Sequence, residues 1–166
     1  MVRITRSLRY ATGFAIVLAC VSGNAPARAS AADEAAIRAQ TTTFVRAYNG
    51  GDVMTVVAEY AEDAVLQPPG APAARGRAAI EAYFAQDIPA SAAAGAAFVV
   101  DAPSDVGVAG ALGWESGSYK VTVKGAVVDT GKYLSISRKH NGRWLYIRDM
   151  WNSDVPPPAA PPPAAR

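Results

Sequence analysis

Residues 44–70 read FVRAYNGGDVMTVVAEYAEDAVLQPPG, and this stretch decides the fold. Phe44 and Tyr48 complete a stripe begun by Ile37 and Thr41, at spacings of four, three and four, which is one face of a helix. Asn49-Gly50-Gly51 ends that helix, because glycine takes the left-handed conformation at no steric cost. Asp52 then caps a second, short helix with Val53, Val56, Val57 and Tyr60 on its buried face. Glu62-Asp63 leads into an apolar run, Ala64-Val65-Leu66, and Pro68-Pro69-Gly70 forces a loop.

Working outward, the first helix starts at Asp33, a cap, and runs from Glu34 to Tyr48. A third helix is expected over Arg77 to Asp87, burying Ile80, Tyr83, Phe84 and Ile88, with Pro89 as its stop. From residue 96 the period changes to two, the signature of strands. One strand is read over 97–102, followed by an interruption at Pro103 and Gly107; a second covers Leu112 to Val123. Gly131 to Arg138 forms a third, His140-Asn141-Gly142 a hairpin turn, and Arg143 to Asn152 the last strand. Both faces of that last strand are largely apolar, so alternation alone does not choose its inner side. Helices first and strands afterwards give an α+β fold: three helices on a curved antiparallel sheet, a half-open cone enclosing a pocket.

The chain ends do not belong to this unit. Arg3, Arg6 and Arg9 precede an apolar run from Tyr10 to Val21, broken by Thr12 and Gly13, and Ala27-Arg28-Ala29 precedes Ser30. That order is a secretory leader, residues 1–29, cleaved after Ala29, which places the protein in the periplasm or outside the cell. The alternative is acylation at Cys20 behind Val17-Leu18-Ala19, which would anchor the chain to a membrane; Leu18 fits poorly where a small residue is usual. Residues 30–155 form the domain, and 156–166 a Pro/Ala-rich tail without a core to join. Removing Arg3, Arg6, Arg9 and Arg28 from sixteen basic residues leaves twelve against fourteen acids, a net charge of −2. No basic stripe remains, and nucleic acid is excluded as a partner.

Several motifs resemble one superfamily. Phe44 to Asp52, Tyr60 to Val65 and Gly76-Arg77-Ala78-Ala79-Ile80 resemble the opening of nuclear transport factor 2-like proteins. Glu115 to Tyr119, Asp129 to Tyr133 and Gly142-Arg143-Trp144 through Arg148 to Asp154 are similar to the DUF4440, or SnoaL-like, branch. The resemblance covers about Asp33 to Asp154. It implies that Leu145, Ile147, Asp149 and Trp151 face inward on the last strand, with Glu115, Gly117, Tyr119 and Val121 on one strand and Lys132, Leu134 and Ile136 on the strand between. It also implies three departures from the steroid-isomerase branch. The base position falls in Gln67-Pro68-Pro69-Gly70, Phe44 stands where a donor tyrosine belongs, and Lys132 where a donor acid belongs. Steroid-type isomerisation is not expected.

The resulting pocket set is Tyr48, Glu115, Tyr119, Lys132, Leu134, Asp149 and Trp151. An acid desolvated beside Trp151 acquires a raised pKa suited to proton transfer, and Tyr119 is placed to donate to a developing oxyanion. Asp149 with Tyr119 is thus the candidate catalytic pair; polyketide cyclases of the superfamily that the chain resembles use an acid in a comparable pocket. The structural alternative is an ion pair of Asp149 with Lys132. Tyr48, Tyr83 and Phe84 also read as core aromatics, and His140 as a solvated turn residue. The sequence has one histidine, no cysteine beyond the leader and no phosphate-cradling or dinucleotide motif, so neither a metal nor a cofactor is expected. The leading reading is a binder of a small apolar ligand without turnover. A cofactor-free general acid/base isomerase, cyclase or dehydratase acting on a carbonyl-bearing substrate is second. A dimerising module using Trp144, Tyr146 and Met150 on an exposed sheet face is third, and a homodimer through that face is expected.

Overall fold

The computed structural model describes residues 31–102 and 104–156. The expected leader, its cleavage site, Cys20 and the tail from residue 157 onward lie outside the described residues. Three helices precede most of the sheet: α1 (Ala31–Asn49), α2 (Val53–Ala58) and α3 (Arg77–Ala93). The strands are β1 (Tyr60–Gln67), β2 (Ala74–Arg75), β3 (Ala96–Val100), β4 (Asp105–Ala109), β5 (Leu112–Val123), β6 (Ala126–His140) and β7 (Arg143–Ser153). They form one sheet in the order β2-β1-β7-β6-β5-β3, with β4 also paired to β5. The fold is the expected α+β cone, with the helices packed on the concave side of a curved open sheet.

The first half follows the sequence reading closely. Asp52 caps α2, its carboxylate accepting from the Thr55 amide at 2.9 Å and the Thr55 hydroxyl at 2.6 Å. Val56, Val57 and Tyr60 then enter a core shared with Leu66, Ile80, Phe84 and Ile88. Phe84 meets Phe44 and Tyr83 edge-on, at 5.8 and 5.2 Å between ring centres.

Three details depart from expectation. Helix α3 runs through Pro89 to Ala93. Interior proline costs a hydrogen bond, but buried Ile88 anchors the helix before it and alanines, the best helix formers, carry it on. The helix ends where Gly95 turns left-handed at φ 66°. Second, Gly107 does not interrupt the sheet but lies within β4, opposite Trp114 on β5. A Cβ there would collide with the Trp114 ring, so this glycine marks a close approach inside a strand. Third, the sheet is not wholly antiparallel, since β1 pairs parallel with β7, Leu66 opposite Asp149.

The face assignments also need correction. On β6 the buried residues are Gly131, Tyr133, Ser135 and Ser137, whereas Leu134 is 40% exposed. Lys132, Leu134 and Ile136 therefore occupy the outer parity, opposite to the inward set expected. On β7 the parity changes along the strand. Ile136 pairs with Arg148 but Ser137 pairs with Tyr146, leaving Ile147 as an extra residue in a bulge. Trp144 and Tyr146, 4% and 3% exposed, thus share the inner side with Asp149 and Trp151. Neither can form an exterior patch. The exposed apolar residues of the outer sheet instead include Leu112, Trp114, Leu134 and Met150, with Leu134 and Met150 directly opposite each other.

Because Phe84 is fully buried among aromatic rings, Phe84→Ala is expected to destabilise the domain by about 3–5 kcal/mol, read from the urea midpoint at unchanged slope.

Candidate functional site

Three adjacent strands place Glu115, Ser135 and Asp149 in one inward rung: β5 pairs Glu115 with Ser135, and β6 pairs Ser135 with Asp149. The rung next to it holds Gly117, Tyr133 and Trp151. The sheet's pleat and register alone thus set two carboxyl groups beside hydroxyls and aromatic rings on the concave side.

Asp149 is 8% exposed, and both its oxygens are held. Tyr60 donates to Oδ2 at 2.5 Å and Ser135 to Oδ1 at 2.7 Å. Burial raises its pKa above the ordinary carboxylate value, and the donors Tyr60, Ser135 and the Met150 amide offset only part of that shift. Burial, with Asp149 beside them, also pushes the Tyr60 and Tyr146 hydroxyls well above the usual tyrosine range. Each oxygen of Asp149 keeps further acceptor capacity.

Glu115, 2% exposed, belongs to a second polar chain. Thr41 on α1 donates to its Oε2 at 2.5 Å, and Tyr133 to Oε1 at 3.2 Å. Tyr146 lies 2.9 Å from the Thr41 hydroxyl. Threonine has a single hydroxyl proton, already given to Glu115, so Tyr146 is the donor in that contact. Helix α1 is tied to the sheet a third time, by Ser137 donating to Gln40 at 3.0 Å.

Between α1, α3 and the concave face lies a cavity of about 300 Å³. Asp149, Trp151, Tyr119 and Tyr48 line it, as do Ser135 and Phe98. Of the expected pocket set the structure thus brings these four together. Glu115 sits behind Thr41 and Tyr133 and borders a separate groove with Arg38 and Arg46. Lys132 and Leu134 are not in the cavity. Lys132 pairs with Asp154 at the surface, so the expected Lys132–Asp149 ion pair does not form. Tyr119 and Asp149 both line the cavity, but their hydrogen bonds go to other groups. Tyr119 shares its proton between the Asn152 carbonyl at 3.1 Å and Asp129 Oδ2 at 3.3 Å. The tyrosine that touches Asp149 is Tyr60.

Sequence reasoning missed Tyr60, Ser135 and Tyr133 because Tyr60 read as helix core and β6 was assigned the opposite face. A run of small polar residues alternating with apolar ones, Ser135 and Ser137 around Ile136, was the available signal. Asp87 and Asp129 were missed as well. Asp87 accepts from Tyr48 at 2.7 Å, and Asp129 from Ser153 at 2.5 Å as well as from Tyr119. His140 lies exposed at the hairpin, as read.

A profile of the SnoaL-like domain matches residues 41–147. The chain belongs to the SnoaL-like domain family. Solved structures similar to this SnoaL-like domain carry the same nuclear transport factor 2-like architecture. A nuclear transport factor 2-like protein with a cystatin-like fold from Novosphingobium aromaticivorans is 24% identical at a TM-score of 0.68, covering 78% of this chain and 86% of its own. A protein with a cystatin-like fold from Nostoc punctiforme is 19% identical at 0.67, covering 81% and 98%. A ketosteroid isomerase-like protein from Erwinia carotovora atroseptica is 22% identical at 0.61, covering 76% and 100%. Comparison with curated proteins finds no match. These identities establish the fold of the SnoaL-like domain and nothing finer.

The raised pKa of Asp149 has a thermodynamic consequence. Between the ordinary carboxylate pKa and the raised folded value, the folded state binds more protons than the unfolded state. The stabilisation is present below the unfolded pKa and is lost as pH rises through the folded one. Urea titrations across pH are therefore expected to show wild-type stability falling in that window relative to Asp149→Asn.

Proposed function

We propose that this SnoaL-like domain binds a small, predominantly apolar molecule inside the cone. The observation that carries the reading is the composition of the cavity wall: nine of its sixteen lining residues are aromatic, and among its few polar groups is the buried carboxyl of Asp149. Ligand sites typically combine an apolar enclosure with few polar anchors, and a volume of about 300 Å³ is at the small end of their range. Fluorescence titration with the neutral probe N-phenyl-1-naphthylamine tests the reading. Val121 lines the cavity, so Val121→Trp is expected to fill it and abolish the probe's binding. Equal binding by wild type and variant would put the probe elsewhere and sink the assignment.

A second reading, general acid/base catalysis, is supported by the raised pKa of Asp149. A carboxyl whose pKa is raised by burial holds its proton to higher pH than an exposed one, and in that form it can donate to a carbonyl oxygen as negative charge develops there. Hydrogen–deuterium exchange alpha to the carbonyl of cyclohexanone, followed by NMR, separates the two readings. A catalyst accelerates exchange and loses that acceleration in Asp149→Asn while retaining the naphthylamine probe; a binder accelerates nothing in either form.

We further propose that the chain is exported, on the basic, apolar and Ala-x-Ala segments before Ser30, and that it pairs through the outer sheet around Trp114, Leu134 and Met150. Native mass spectrometry of the exported protein is expected to give a homodimer of chains beginning at Ser30. An acylated chain beginning at Cys20 would overturn the first proposal, and a monomer the second.

A further inference from the structure

The same cavity that is rich in aromatic rings is lined by acids and by no base. Asp87 on α3, Asp129 on β6 and Asp149 on β7 border it, and none of its sixteen lining residues is lysine, arginine or histidine. Nor does any of the three form an ion pair elsewhere among the described residues, where Lys120, Lys132, Lys139, Arg77, Arg138 and Arg143 go to other acids. An apolar enclosure that holds carboxyl groups with no counter-charge is electrostatically incomplete.

The arrangement of the acids says what would complete it. Each of the two half-buried ones is joined to a tyrosine of the wall: Tyr48 donates to Asp87, and Tyr119 to Asp129. These pairs come from different layers of the fold, α1 with α3 on the helical side and β5 with β6 on the sheet side. Donation to a carboxylate makes a phenol ring richer in electrons, which strengthens its attraction for a cation over its face. Phe98 lies 5.3 Å from Tyr119 between ring centres and 5.8 Å from Tyr48, so it bridges the two pairs. Trp151 packs against Tyr83, 6.3 Å away, on the same wall. A bare metal ion does not suit this site, because no three carboxylate, histidine or cysteine groups among the described residues converge closely enough to hold one. A diffuse positive charge carried on an apolar body fits both the separated carboxyl groups and the rings.

We propose that the ligand of this cavity is an organic cation, a small amine or quaternary ammonium compound with an apolar or aromatic body. The proposal rests on the binding reading above and specifies its chemistry. Asp87 and Asp129 with their tyrosines receive the charge, and the inner wall around Trp151 and Phe44 receives the body. Burial raises the Asp149 pKa, and a cation alongside it favours the charged form, so cation affinity increases as Asp149 ionises.

Two isosteres differing only in charge test the idea: phenyltrimethylammonium and tert-butylbenzene, titrated into the purified protein by calorimetry. The cation is expected to bind more tightly by on the order of tenfold or more, as a desolvated cation over aromatic faces does. The double substitution Asp87→Asn with Asp129→Asn is expected to bring the ratio of the two affinities close to one. Binding of tert-butylbenzene as tight as that of the cation in wild type would overturn the cation proposal and leave the apolar-ligand reading standing. Failure of both isosteres together with the naphthylamine probe would overturn the pocket reading and this inference with it. A cation preference that persists in the double variant would move the charge away from the two tyrosine–aspartate pairs and overturn their role.

Discussion

Between Tyr146 and Arg148 the last strand carries one residue more than its neighbour, and the interior of the cone depends on that insertion. Without it, strict alternation would put either Trp144 and Tyr146 or Asp149 and Trp151 on the concave side, but not both pairs. With Ile147 bulged, one strand supplies the cone with both sets. Tyr146 then reaches Thr41 on α1, and Asp149 falls level with Ser135 and within reach of the Tyr60 hydroxyl. Bulges are common near ligand sites because they re-aim side chains without ending the sheet.

What the bulge assembles is a polar interior with its donors matched to its acceptors. Two carboxyl groups, the four hydroxyls of Thr41, Tyr60, Tyr133 and Ser135 that donate to them, the Tyr146 hydroxyl on Thr41 and the Ser137–Gln40 pair are buried together. Among the described residues no buried side-chain polar atom lacks a partner. Such networks are costly when incomplete and specific when complete. Here they hold α1 at three points against β5, β6 and β7, so the helix that roofs the cavity is located by hydrogen bonds as well as by apolar contact. The cavity's shape and the state of Asp149 are consequences of the same contacts.

The division between inner and outer sheet follows from this network and reverses a hydropathy argument. On β6 the serines and Tyr133 are buried while Leu134 faces out, because inward positions are chosen by what they bond to across the strands, not by their transfer free energy alone. Leu134 and Met150, 40% and 44% exposed, are left as neighbours on the outer face. The basic residues follow the same geometry, with Lys132 drawn to Asp154 at the strand ends and away from the cavity, which leaves the inner acids without a counter-charge.

The sequence by itself determined the helices, their order before the strands, the Asp52 cap and the Asn141-Gly142 hairpin. Those features are local: spacing, capping and turn chemistry act over a few residues and leave a periodic trace. It also singled out Asp149 and Trp151 as cavity residues, through resemblance and not through alternation. The tertiary structure alone decided the rest. A bulge erases the period that alternation needs, so the inward placement of Tyr146 beside Asp149 was not legible. The β4 strand hid behind Gly107, whose role is set by Trp114 on another strand. The partners of Asp149 lie 89 and 14 residues away, at Tyr60 and Ser135, and only the register of three strands brings them to it.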